Sequence, residues 1–214
     1  TILKFNDINI DSISIKKQIN ISDEFTNYPI KYNNNNLIIQ TPIVFIPFGI
    51  NKYNNKSYID ISFINSSKND MKQFKSTVLD INKYVKQKFS RKKLKFMSSL
   101  KYSEKFPERL RMSFYDDILI FSESKKLLSL DYIKSKIYVK LLIIPQFIWT
   151  NNKSYGIVWN ILQMKTPIGY LPTLPLKASP KTFASMPLPT VMRKLLRRNS
   201  KLIVPFGVLL ITTS

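Results

Sequence analysis

Two clusters hold the residues best suited to chemistry in this chain. The first is IWTNNKSYGIVWNILQMK (148–165), which carries both tryptophans, Trp149 and Trp159, together with Tyr155, Lys165 and, in a turn, Lys153. The second is IPFGINKYNNKSY (46–58), where Phe48, Lys52, Tyr53, Lys56 and Tyr58 surround Gly49. A flat ring beside an ammonium group suits an unpaired nucleobase and its phosphate. Stacking is worth about 1–3 kcal/mol per base, and each cation adds a salt-dependent phosphate contact. Each cluster also has a structural reading. Trp159 sits mid-strand between Ile157 and Ile161 and reads first as core. Trp149 and Tyr155 flank the turn, where burial is harder, and read as the functional pair. The second cluster reads equally well as an ordinary loop with solvated lysines.

The faces that these rings take depend on the turn. If Asn151-Asn152-Lys153 is a three-residue loop, Trp149 lies opposite Tyr155 and shares a face with Phe147, Ile157, Trp159 and Ile161. A four-residue loop moves Trp149 to the other face.

Charge points the same way as the aromatics. Among 214 residues, 34 Lys+Arg stand against 13 Asp+Glu, a formal charge of +21. The last acid is Asp131, and the 83 residues after it carry 12 Lys+Arg and no carboxylate. From Lys68 to Lys105 a second block holds 12 basic residues, including SRKKLKF (90–96), against three acids. Such an excess calls for an acidic partner, nucleic acid or an anionic membrane. The absence of His and Cys excludes a thiolate nucleophile, a Cys/His zinc site and a Ser-His-Asp triad. A nuclease using Asp60, Asp116, Asp117 and Asp131 on Mg²⁺ is weaker than the plain reading of these acids as turn and strand residues.

Strands and one helix must position the clusters. Short β segments are expected at YPIKY (28–32), LIIQTPIVFIPFGI (37–50) and SYIDISFI (57–64), with Asn-rich turns between them. Met71, Phe74, Val78, Ile81, Val85 and Phe89 recur at helical spacing, which predicts a helix over 69–89 capped by Asn69 or Asp70. Period two returns in ERLRMSFY (108–115), ILIF (118–121) and KSKIYVKLLII (134–144), with a bulge or bend at Pro145 before the tryptophan hairpin. Many short strands, one inserted helix and no βαβ alternation predict a mainly β, OB-like antiparallel barrel over 28–166, with 1–27 as an N-terminal extension. More than half of the 12 prolines lie from Pro167 onward, so 167–214 reads as an extended, basic, Pro-rich C-terminal arm. The first residues, TILKFNDINI, show neither an initiator Met nor a signal pattern, so the chain is read as trimmed at its start. The apolar stretch 202–211 is broken by Pro205 and Gly207, which predicts a soluble protein.

On LIIQTPIVFIPFGINKY, SYIDISF, the basic helix and above all IWTNNKSYGIVWNILQMK, the chain resembles the single-stranded DNA-binding proteins of large nucleocytoplasmic DNA viruses, relatives of a bacteriophage type of OB-fold protein. The resemblance covers roughly 28–166. It implies a five-stranded barrel with a helical insertion that binds single strands in viral replication or recombination, in the host cytoplasm or the virion, without catalysis or a cofactor. Carried onto this sequence, it implies stacking by Phe48, Tyr53, Trp149, Tyr155 and Trp159, with Lys52, Lys56, Lys153 and Lys165 near phosphates. The phage-type members end in an acidic tail that recruits partners, whereas this chain ends basic and apolar. The alternative is a capsid or core component whose 167–214 arm orders against virion neighbours or replication proteins.

Overall fold

The computed structural model describes residues 2–53, 56–64, 68–90 and 93–167; the arm expected over 168–214 lies outside the described residues. In chain order the strands are β1 (Ile2–Lys4), β2 (Ile13–Ile15), β3 (Ile19–Asn20), β4 (Thr26–Tyr32), β5 (Ile38–Ile46), β6 (Asn51–Tyr53) and β7 (Lys56–Ser62). The helix α1 (Asn69–Phe89) follows. Then come β8 (Lys95–Met97), β9 (Leu100–Ser103), β10 (Phe106–Phe114), β11 (Leu119–Phe121), β12 (Leu127–Leu128), β13 (Ile137–Thr150) and β14 (Ser154–Lys165).

Alternation in the sequence becomes inside and outside in the barrel. Ile59 and Ile61 on β7, Leu110 and Met112 on β10, and Val139 and Leu141 on β13 are all fully buried. Their neighbours along each strand face outward. Five strands close a circuit: β5 pairs with β7, β7 with β10, β10 with β14, β14 with β13, and β13 with β5. Only the β10–β14 step is parallel, through Ser113 and Asn160. Numbered one to five along the chain, these strands run one-two-three-five-four and back to one. The expected OB-type barrel is therefore present. Its two seams are narrow, since β5–β7 and β10–β14 are each joined by a single residue pair. Register shifts beside Pro145, where the chain was expected to bulge.

The helix spans the residues its periodicity marks, and Met71, Phe74, Val78, Ile81, Val85 and Phe89 are its buried stripe, joined by Asn82. Its cap differs from expectation: Lys68 holds the N-cap position and no side chain bonds the first turn. Asp70 near the start and Lys86 and Lys88 near the end still suit the helix dipole. The helix is inserted between β7 and β10 and lies across the barrel. Phe74 packs edge-on against Phe5 at 6.0 Å, and the Tyr84 hydroxyl donates to the Ile13 carbonyl at 2.6 Å.

Residues 2–27 are more than an appendage. β1 adds parallel to β5, β2 and β3 add antiparallel to β4, and Phe5 and Ile13 enter the core. Ile13-Ser14-Ile15 and Ile19-Asn20-Ile21 carry the period of two that suits a strand, but not the identity of the strand each joins. Among the described residues, no helix is long and apolar enough to cross a membrane.

Candidate nucleic-acid interface

The turn of the tryptophan hairpin is set by Asn151. Its backbone N–H donates to the Ser154 carbonyl at 2.9 Å, while its Oδ1 accepts from the N–H groups of Lys153 and Ser154 at 2.9 and 2.7 Å. Thr150 then pairs with Tyr155, and Trp149 with Gly156. This is the four-residue loop, so Trp149 lies on the face opposite Trp159.

Trp149 is half-buried and rests against a residue with no side chain. A Cβ at Gly156 would stand 3.0 Å from both the indole Nε1 and the Met97 carbonyl oxygen. The space that this carbon would fill lets the indole lie close to the strand. Exposed Lys153 stands in the turn of the same hairpin, and exposed Lys95 on the strand beyond β14. Lys95 arrives through SRKKLKF: β8 runs parallel to β14, with Lys95 opposite Ser154 and Met97 opposite Gly156. The backbone N–H of Lys95 donates to the Lys153 carbonyl at 3.0 Å. Neither sequence segment, taken alone, shows that the other is its neighbour.

Two residues expected in the site belong to the interior. Tyr155 is 3% exposed, stacked on Phe89 at 5.2 Å and tilted against Phe96 at 5.2 Å. Burial pushes its phenol pKa up. Trp159 is 2% exposed, and its Nε1–H donates to Ser99 Oγ at 2.9 Å, which in turn donates to Asn82 Oδ1 at 2.9 Å. Both rings point inward because their side of β14 packs on α1 and the core. Lys165 is also committed. Its side chain is 8% exposed and its ammonium pairs with Glu123 at 2.8 Å.

The second cluster stands at the other end of the same outer face. From Gly156 the outward residues of β14 are Val158 and Asn160. Asn160 accepts from the Ser113 hydroxyl and donates to Gln146. Ser113 pairs across β10–β7 with Tyr58, and Tyr58 pairs with Asn51 on β6. Four residues along one strand and three strand spacings separate Gly156 from Asn51, roughly 20 Å. Beside this strip Arg111 grips Asp60 through two bonds of 2.8 and 3.1 Å. The Arg109 guanidinium sits 5.1 Å from the Phe48 ring and 5.4 Å from the Phe106 ring. Tyr53 is 70% exposed and pairs with exposed Lys56, while Tyr58 is half-buried. Lys52 forms an ion pair of 2.8 Å with Asp116. That bond and one from the Ser57 hydroxyl hold the Asp116 pKa below its ordinary value.

Gly49 seats this loop. Its φ of 71° is left-handed, and a Cβ there would meet the backbone N of Ser135 at 3.1 Å. The clusters thus occupy two ends of one strip instead of one spot. Arg109, Arg111, Phe106 and Lys95 join the face without having been singled out; the alternation of ERLRMSFY already places its arginines outward. Among the described residues no group of three or more acids could hold a metal.

No family model matches this chain, and no curated protein matches it. Solved structures of a single-stranded DNA-binding protein from bacteriophage Enc34 are similar to it. One aligns at 12% identity and TM-score 0.41, covering 78% of this chain and 96% of that one. The same protein in complex with ssDNA aligns at 10% identity and TM-score 0.41, covering 76% and 95%. A C-terminal truncation aligns at 11% identity and TM-score 0.40, covering 77% and 97%.

Proposed function

We propose that this chain binds single-stranded DNA with little dependence on sequence, stacking bases on Trp149 at one end of the outer strip and on Tyr53 and Phe48 at the other. Lys95, Lys153 and Lys56 supply phosphate contacts. The observation that carries the reading is the half-exposed Trp149 ring laid over Gly156, with exposed Lys153 in the adjoining turn and exposed Lys95 on the strand beyond β14. Duplex bases hide their faces within the stack, so a ring platform selects strands whose bases are free. Work in viral DNA replication or recombination, in the host cytoplasm or virion, belongs to the same proposal and rests on the sequence resemblance.

Tryptophan fluorescence tests it directly, because Trp159 is buried and only Trp149 can meet a base. Titration with oligo-dT is expected to quench part of the emission, with affinity falling as salt rises. Trp149→Ala should abolish the quenching and weaken binding about fivefold or more. Equal affinity for duplex and single strand, or unchanged binding by Trp149→Ala, would overturn the proposal.

A further inference from the structure

The sheet around Trp149 extends beyond the barrel. β3, β4, β13, β14 and β8 lie side by side, and one cross-strand row runs Ile19, Asn27, Trp149, Gly156, Met97. Directly paired residues share a face. Ile19 and Met97 therefore end a row centred on Trp149, four strand spacings or roughly 19 Å apart. Among the described residues, β3 pairs only with β4, and β8 only with β14. Both outer edges are open.

The two edges are unlike in charge and alike in apolar exposure. Past β3 the chain turns through exposed Ser22, Asp23 and Glu24, with Ile19, Ile21 and Phe25 exposed at 53%, 61% and 44%. Two of the chain's 13 acids thus sit together on this edge. Of the lysines just before it, Lys16 bonds Asn34 Oδ1 at 2.6 Å and Lys17 is exposed. The β8 edge offers exposed Lys93 and Lys95 beside Met97, which is 40% exposed. Exposed apolar clusters with a charged rim mark protein contacts, and open sheet edges invite pairing.

We infer that the β3 edge of one copy, through its Asp23-Glu24 turn, docks on the basic β8 edge of the next, so that copies associate head to tail. Two β8 edges would set Lys93 and Lys95 against themselves, whereas the mixed contact sets Asp23 and Glu24 against those lysines. A heterologous contact of this kind extends into chains unless its rotation closes a ring. On a single strand, successive Trp149 rows would then follow one another. That consequence rests on the proposed function, whereas the contact itself does not.

Sedimentation of the full chain without nucleic acid, at low salt and over a range of concentrations, provides the test. Wild type is expected to grow in mass with concentration. Asp23→Lys/Glu24→Lys and Lys93→Glu/Lys95→Glu, all surface changes, should each stay monomeric. Mixing these two variants restores matched edges and should restore association. A monomeric wild type, association that survives either double change, or no rescue on mixing would overturn the inference. Because DNA is absent, failure of the DNA-binding proposal would leave these results unchanged.

Discussion

Trp149 and Gly156 face one another across the β13–β14 ladder, and the missing side chain of the glycine is the space under the indole. The Met97 carbonyl closes that space from β8, so a methyl group has little room to be absorbed.

Gly156→Ala should therefore tilt or lift the indole. Single-strand affinity is expected to fall about as far as in Trp149→Ala, a loss of about 1–3 kcal/mol. Overpacking should cost about 1–3 kcal/mol of stability as well. Oligonucleotide titration alongside urea denaturation checks both. Full affinity in a folded Gly156→Ala protein would separate the ring from binding.

Trp159→Phe should behave in the opposite sense. It removes the donor to Ser99 and leaves a void in the core, at a cost of roughly 2–4 kcal/mol in denaturant unfolding. Binding per folded molecule should stay within about twofold of wild type, since this ring faces away from the strip.

Asp116→Asn should release Lys52 for phosphate. Affinity is expected to rise at low salt, and the slope of log affinity against log salt should steepen by up to about 0.7, the value for one more contact on a single strand. The native Asp116 pKa is lowered, chiefly by the Lys52 hydrogen bond. Its contribution to stability is thus present above the unfolded carboxylate pKa and lost as pH falls through the folded value. The exposure of both partners keeps that contribution small. Asp116→Asn should flatten this part of the acid melt.

Lys140→Met should stabilise the fold. Burial, then the neighbouring Lys165, lower the Lys140 pKa. The unfolded chain therefore holds the proton more tightly than the native one, and wild-type stability should rise with pH between the lowered value and the ordinary lysine value. Lys140→Met should lack that rise and melt a few degrees higher at neutral pH. Thermal melts across the alkaline range check the sign.

Much of the barrel is legible in the sequence because burial on one face of a strand or helix writes its own period. SYIDISFI and ERLRMSFY name their inward residues through alternation, and the helix over 69–89 names its stripe through spacings of three and four. Asn33 and Asn34 take the positive φ that their turn requires. The same logic places Arg109 and Arg111 outward. Chemical type alone therefore determined that rings and cations are plentiful near two turns, and that a closed sheet carries them.

Which rings meet solvent was decided by register and by contacts distant in sequence. One residue of loop length decides whether Trp149 shares the face of Trp159 or lies opposite it, and Asn151 settles it by accepting from two successive backbone amides. Tyr155 is taken inward by Phe89, 66 positions earlier, and Lys165 is neutralised by Glu123. Lys95 and Phe96 of SRKKLKF gain their meaning only in a parallel strand beside β14. Local period reports whether a residue is covered, while the identity of what covers it exists only once the chain has closed on itself.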